Sequence, residues 1–156
     1  MLLYFLFAYF LERSDFLNLL LLYSGLFYAA WKIIQHTKFN FWIWAVIGIT
    51  ARVLFLPSIP NLSQDFYRFI WDGRLLILGI NPYVFTPEQL ANGLLKTTEL
   101  TSLEAISNAK ILIQGMGSLN ASHYSNYPPI NQLCFALAAL FAKTSILGSV
   151  VVLRII

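Results

Sequence analysis

The first 56 residues fall into three apolar blocks separated by two short polar breaks, and this division limits what the chain can become. Met1 to Leu11 is apolar but well short of the about 20 residues that a bilayer-crossing helix needs. It has neither the basic start nor the small-residue cleavage site of a secretory signal. It reads as a helix whose beginning is missing, or as one lying partly in the interface. "ERSD", Glu12 to Asp15, interrupts the chain. Phe16 to Ile34 is the next candidate span, with Lys32 placed to snorkel near its end. After the basic turn "QHTK", Phe39 to Leu56 forms a third. Phe41, Trp42 and Trp44 open it as an aromatic belt, and Arg52 lies one turn from its far end. "PSIP" stops it, because proline lacks the amide donor a helix requires. Composition agrees: 58% of residues are hydrophobic and 11% charged, against about 25% charged in soluble domains. The mean hydropathy is +0.69.

The sequence therefore predicts an all-α polytopic membrane protein with about four to five transmembrane helices. Residues 1–56 form N-terminal spans, 57–129 an extracytoplasmic loop with short amphipathic helices, and 130–156 further transmembrane helices. A net charge of +3, spread along the chain, does not suit nucleic acid. Cys134 is the only cysteine, so no intrachain disulfide forms; it reads as a small buried hydrophobe.

Pro57 to Pro129 is long for a connection without structure of its own. In "TPEQ", Thr86 is placed as N-cap, Pro87 as the first helical residue and Gln89 as the capping-box partner. Thr101 and Glu104 repeat the arrangement. Short helices are predicted over 87–96 and 102–114. "GMGSLNASHYSNYPP" reads as a loop from its Gly, Ser, Asn and Pro content. A single helix through Pro129–Ile156 would carry Lys143 near the bilayer centre, costing about 2.5–3.5 kcal/mol. A turn at "KTS" with a helix on either side avoids this. The last apolar run reaches Ile156 without a stop signal, so the chain reads as the N-terminal part of a larger polytopic protein. The Lys32/Lys38 turn and Lys143 are cytoplasmic by the positive-inside rule, which leaves residues 57–129 outside. That region holds four basic and five acidic residues.

One passage breaks the apolar character, "NLSQDFYRFIWDGRLLILGINPY", Asn61 to Tyr83. Ser63 is placed as N-cap and Asp65 lies in the first turn, where the helix dipole favours an anion. Phe66, Ile70, Gly73 and Ile77 share one face; Asp65, Arg68 and Asp72 share another. The pattern predicts an amphipathic helix lying along the membrane surface, ended at Gly79 with Pro82 as a stop. By spacing alone the polar face is a solvated, ion-paired one, with Tyr67 and Trp71 as interface anchors.

"SQDFYRFIWDGRLLILGINPY", followed by "YPPINQLCFAL", resembles the GT-C superfamily of membrane glycosyltransferases. It is most similar to mannosyltransferase-like members that use polyprenyl-phosphate sugars. Four features of that family stand here in order: a loop aspartate, a Tyr-Arg-Tyr/Phe-x-Trp-Asp-Gly-Arg run, an Asn-Pro-Tyr turn and a Tyr-Pro-Pro opening the next span. The resemblance covers roughly half the chain, Ser63 to about Leu137. It implies that Asp65 is the catalytic base or orients the acceptor, and that Arg68, Asp72, Arg74 and Tyr127 contact substrate. Gln64 stands where many members carry a second acid, which removes one ligand of a paired-carboxylate metal site; a divalent cation stays open as the cofactor. The implied partners are a lipid-linked sugar donor, a glycan or lipid acceptor and the bilayer of the cytoplasmic membrane.

The residue types suit that chemistry. An acceptor hydroxyl loses a proton as it attacks the anomeric carbon, and a positioned carboxylate takes it. The departing lipid phosphate gathers negative charge, which an arginine fork or a divalent cation stabilises. Tyr127, Pro128 and Pro129 read either as a rigid helix start or as a donor contact. His123 and His36 read as surface histidines, and Asn81 and Tyr83 as turn formers. The alternative is a non-enzymatic polytopic protein, a transporter or assembly subunit, or an inactive truncated product. A transporter would hide ionisable residues within its spans, and only Arg52 approaches that.

Overall fold

The computed structural model describes residues 1–37, 40–93 and 106–156. Among these residues eight helices follow one another: α1 (Leu2–Tyr9), α2 (Phe16–Thr37), α3 (Phe41–Phe55), α4 (Asp65–Ile77), α5 (Pro87–Ala91), α6 (Ala109–Ala121), α7 (Pro129–Ala142) and α8 (Ile146–Ile155). Among the described residues there is no strand, as an all-α chain requires. The helices gather into two compact units, Met1–Ser63 and Gln64–Ile156.

In the first unit α1 packs on α2 and α3. Ala8 and Leu11 are buried, and Tyr4 sets its ring edge-on to Phe55 at 5.8 Å. Tyr9 donates its hydroxyl proton to the Leu54 carbonyl at 2.9 Å. Asn61 donates to the carbonyls of Phe7 and Leu11. The "ERSD" break ends in Asp15, whose carboxylate accepts from the Asn18 amide N–H at 3.1 Å at the start of α2. Asn40 caps α3 by accepting from the amides of Trp42 and Ile43. Neither α2 nor α3 has a buried residue; Phe16, Leu20, Phe27 and Trp31 stand exposed along α2. Lys32 lies 5.1 Å from the Trp31 ring, a cation–π distance.

Among the described residues one helix is long and apolar enough to cross a bilayer, α2 with 22 residues. The apolar helices α3, α7 and α8 have 15, 14 and 10 residues, shorter than the about 20 that a perpendicular span requires.

In the second unit α4 is the centre, flanked by α6, α7 and α8. The expected surface helix is thus corrected: eight of its thirteen residues are buried, Arg68, Asp72 and Arg74 among them. Phe66, Ile70, Trp71 and Leu75 join Leu112, Met116 and Val150 in the core. Ile77, expected on the apolar face, is exposed. At Gly73 the backbones of α4 and α7 approach closely. A Cβ there would lie 2.1 Å from the Phe135 carbonyl oxygen, so only glycine permits the crossing. The helix begins at Asp65 with Gln64 at the cap position and no side-chain cap, not with Ser63 as N-cap. It ends as its sequence predicts. Gly79 adopts φ +76, and the amides of Gly79 and Ile80 return to the carbonyls of Leu76 and Leu75, a Schellman arrangement.

The Thr86/Gln89 capping box forms around Pro87. The helix behind it closes at Ala91 as Gly93 turns left-handed, short of the predicted residue 96; positions 94–96 and the second box, Thr101 with Glu104, lie outside the described residues. Of the helix predicted over 102–114, positions 102–105 lie outside the described residues and 106–108 form a turn; α6 begins at Ala109 and runs seven residues past 114, to Ala121, through part of the expected glycine loop. Gly115 stays helical against the Tyr67 ring, where a Cβ would meet carbon at 2.6 Å. Gly117 breaks the helix with φ 75 and ψ 162. These glycines are packing positions and a kink, which composition alone reads as loop. The turn at "KTS" forms as predicted: Lys143 adopts φ 53 and Ser145 caps α8. Cys134 is half-buried, not enclosed.

Candidate functional site

The "DFYRFIWDGR" run places one acid outside and the rest of its charges inside. The Arg68 Nε donates to Asp72 Oδ1 at 2.8 Å one helical turn later, with the two side chains 2% and 0% exposed. Arg68 Nη1 donates to the carbonyls of Asn120 and His123, both at 2.9 Å. Asp72 Oδ2 accepts from the Ser125 hydroxyl at 2.5 Å and from the Gln132 amide at 2.9 Å. Gln132 Nε2 also donates to Ser125 Oγ at 2.8 Å. The ion pair therefore ties α4 to the end of α6, to the chain leading into α7 and to α7 itself. Its desolvation is compensated by four hydrogen bonds from or to other elements, the condition under which a buried pair is tolerated. Arg68 Nη2 and Gln132 Oε1 are buried with no hydrogen-bond partner.

Arg74 makes a second buried anchor. It donates to the carbonyl of Ser107, ahead of α6, and to that of Thr144 at 3.0 Å, in the α7–α8 turn. Asn108 also donates to the Thr144 carbonyl, at 2.7 Å. Burial lowers the Arg74 pKa from its ordinary value, yet a guanidinium stays protonated in proteins. Arg68, Asp72 and Arg74, read from sequence as substrate contacts, thus have their polar atoms turned to the protein.

Asp65 differs. It is exposed on the first turn of α4, and its Oδ1 accepts from the Asn120 side-chain amide at 3.2 Å. Tyr127 is half-buried beside Phe69 and Phe135, edge-on to both at 5.0 and 5.6 Å. Burial raises the pKa of its phenol, and the negative charges of Asp65 and Asp72 raise it further, against the opposing effect of Arg68. The phenol is therefore a protonated hydrogen-bond donor at neutral pH. The Tyr127 carbonyl accepts from the Tyr83 hydroxyl, which joins the Asn-Pro-Tyr turn to the Tyr-Pro-Pro element. Asn81 Oδ1 accepts from the Tyr83 amide at 3.0 Å, so the turn role read for both residues is observed. His123 is exposed, with Nδ1 against the Leu119 carbonyl at 2.5 Å.

Beside this cluster an open groove of about 520 Å³ runs between the Asn-Pro-Tyr turn and the start of α7. Leu76, Ile80, Pro82, Tyr83, Leu133 and Ala136 make it mainly apolar, and Gln132 reaches both the groove and Asp72. Among the described residues no three of His, Cys, Asp and Glu converge as metal ligands.

Sequence reading missed Asn120, Ser125 and Gln132. The first two stand in the stretch taken for a plain loop. Gln132 lies within "YPPINQ", one turn into α7 from the Tyr-Pro-Pro element, where a polar residue in an otherwise apolar run is the signal that marks it. Comparison of the chain with family models, with curated proteins and with solved structures finds no match.

Proposed function

We propose that this chain serves a polytopic membrane glycosyltransferase of the mannosyltransferase-like kind. It transfers a sugar from a polyprenyl-phosphate donor to a glycan or lipid acceptor on the extracytoplasmic side of the cytoplasmic membrane. The observation that carries the reading is the division within one helix. Arg68, Asp72 and Arg74 are buried and bonded to protein, while Asp65 alone of the four stands exposed.

An acceptor must reach its base, and of the motif's two aspartates Asp65 is the exposed one. Asp65 takes the hydroxyl proton as the acceptor oxygen attacks the anomeric carbon. Tyr127, kept protonated, donates to a phosphate oxygen of the leaving group. The buried pair Arg68–Asp72 and the Arg74 anchor hold the surrounding segments in place. The lipid tail of the donor stays in the bilayer while the reacting carbon sits at its surface. The resemblance of "SQDFYRFIWDGR", "GINPY" and "YPPINQ" to the GT-C pattern supports the same reading.

The rival, a non-enzymatic membrane subunit, is favoured by the same burial, since packing alone explains three of the four charged positions. Asp65→Asn separates the two. Native membrane vesicles bearing the full-length protein supply the acceptor, and radiolabelled polyprenyl-phosphate mannose is the donor probe. A general base contributes about 10²–10⁴-fold, so transfer is expected to fall by that factor in the variant. Full turnover by Asp65→Asn removes the enzyme reading as stated.

A further inference from the structure

Asn120 makes two contacts that substitution can separate. Its backbone carbonyl accepts from the buried Arg68 guanidinium at 2.9 Å. Its side-chain amide donates to Asp65 Oδ1 at 3.2 Å. The residue reaches this place through the break at Gly117, whose φ 75 and ψ 162 fall in a region essentially reserved for glycine. A Cβ at Gly117 would stand 3.0 Å from Gln64 Nε2, the residue preceding Asp65. The last turn of α6, from Ser118 to Ala121, is thereby laid against the start of α4.

We propose that Asn120 is a positioning residue that holds the Asp65 carboxylate in its productive orientation; this rests on the reading of Asp65 as the general base. An exposed aspartate on a first helical turn rotates about two side-chain torsions. A donor anchored through its own backbone to a buried ion pair limits that rotation. The amide is a suitable donor, because it orients the carboxylate without neutralising the charge that makes it a base. The chain of contacts runs from Gln132 and Ser125 through Asp72 and Arg68 to Asn120, and from there to Asp65. The buried half of the motif thus sets the geometry of its exposed half.

The test compares Asn120→Ala and Asn120→Asp with wild type in the full-length protein, in native membrane vesicles with radiolabelled polyprenyl-phosphate mannose. Both variants keep the carbonyl that Arg68 binds, so the thermal midpoint of the purified protein should stay within a few degrees of wild type. Misplacement of a reacting group by about 1 Å costs on the order of 100-fold. The expected result is a fall in kcat of about ten- to a hundred-fold for Asn120→Ala, with KM for the donor within about twofold. Asn120→Asp, which sets an acceptor and a like charge against Asp65, should fall at least as far, and Asn120→Gln, which keeps a donor, should recover part of the loss. Wild-type kcat in both Ala and Asp variants overturns the proposal. So does a loss that appears in KM or in the thermal midpoint instead of kcat. Failure of the underlying reading shows separately, as full turnover by Asp65→Asn alone.

Discussion

Gly73→Ala sets two rules of helix energetics against each other. Alanine in a helix interior is favoured over glycine by about 1 kcal/mol through backbone entropy alone. Were α4 the surface helix its pattern suggests, the substitution would stabilise the protein. The observed crossing reverses the sign. The added Cβ would lie 2.1 Å from the Phe135 carbonyl oxygen, 2.6 Å from its carbon and 3.3 Å from the Ala136 nitrogen. All three are backbone atoms of α7, so no rotamer change relieves them. To restore van der Waals contact α7 must retreat by more than about 1 Å, which breaks close packing along the whole α4–α7 seam. Overpacking of a tight core costs typically about 1–3 kcal/mol, occasionally more, and a backbone-on-backbone collision belongs at the upper end. The net expectation is destabilisation by about 2 kcal/mol after the propensity gain. Gly48 in α3 is the control: its Cβ would meet nothing within 4 Å, so Gly48→Ala should be neutral or stabilising by up to about 1 kcal/mol. Denaturant titration of the purified protein, followed by far-ultraviolet circular dichroism, measures both. A Gly73→Ala protein as stable as wild type would refute the crossing.

Two other outcomes follow from the buried polar groups. Asp72→Asn removes the charge that balances Arg68 and leaves a guanidinium enclosed without its counterion, a change that costs about 3–5 kcal/mol; the same titration reads it, and limited proteolysis between Leu119 and Pro128 should accelerate, since Arg68 and Asp72 tether that segment. Tyr127 carries a raised pKa, so its protonated form is favoured by folding. Its contribution is fully present below the unfolded value of about 10 and is lost as pH rises through the folded value. Tyr127→Phe should flatten the fall in stability above about pH 10 and remove one component from the phenolate absorbance, and an unchanged difference titration would contradict the burial.

Much of the chain's organisation is written locally. The Thr86/Gln89 box, the Gly79 stop and the turn at Lys143 each depend on residues within one helical turn, so the sequence predicts them and the structure has them. What failed depends on partners far along the chain. Acid, base, acid at one-turn spacing fits a solvated face equally well as a buried network; the choice is made by Ser125 and Gln132, 53 and 60 positions from Asp72. The glycines at 115 and 117 look like loop because composition counts them. In the structure one sits against Tyr67 and the other kinks α6 beside Gln64. The α6 overrun and the buried α4 are therefore one error, since a helix read as resting on a surface leaves nothing for the following segment to wrap.

The same reasoning bears on how the "Arg-x-x-x-Asp-Gly-Arg" spacing works. Arg68 and Asp72 are one turn apart and pair within the helix, which leaves the second guanidinium nitrogen for the carbonyls at the end of α6. Gly73 must follow at once, because the face that carries Asp72 toward Gln132 is the face pressed against α7. Arg74 points to the other flank and fastens the segments before α6 and after α7. Shifting any of the four by one position would rotate it by about 100° around the axis and separate it from its partner. The spacing is thus sufficient to build a rigid block around one helix. The exposed Asp65 lies outside it, seven residues before Asp72 and so on nearly the same side of the helix. Its bond to Asn120 links it to the block while leaving it exposed.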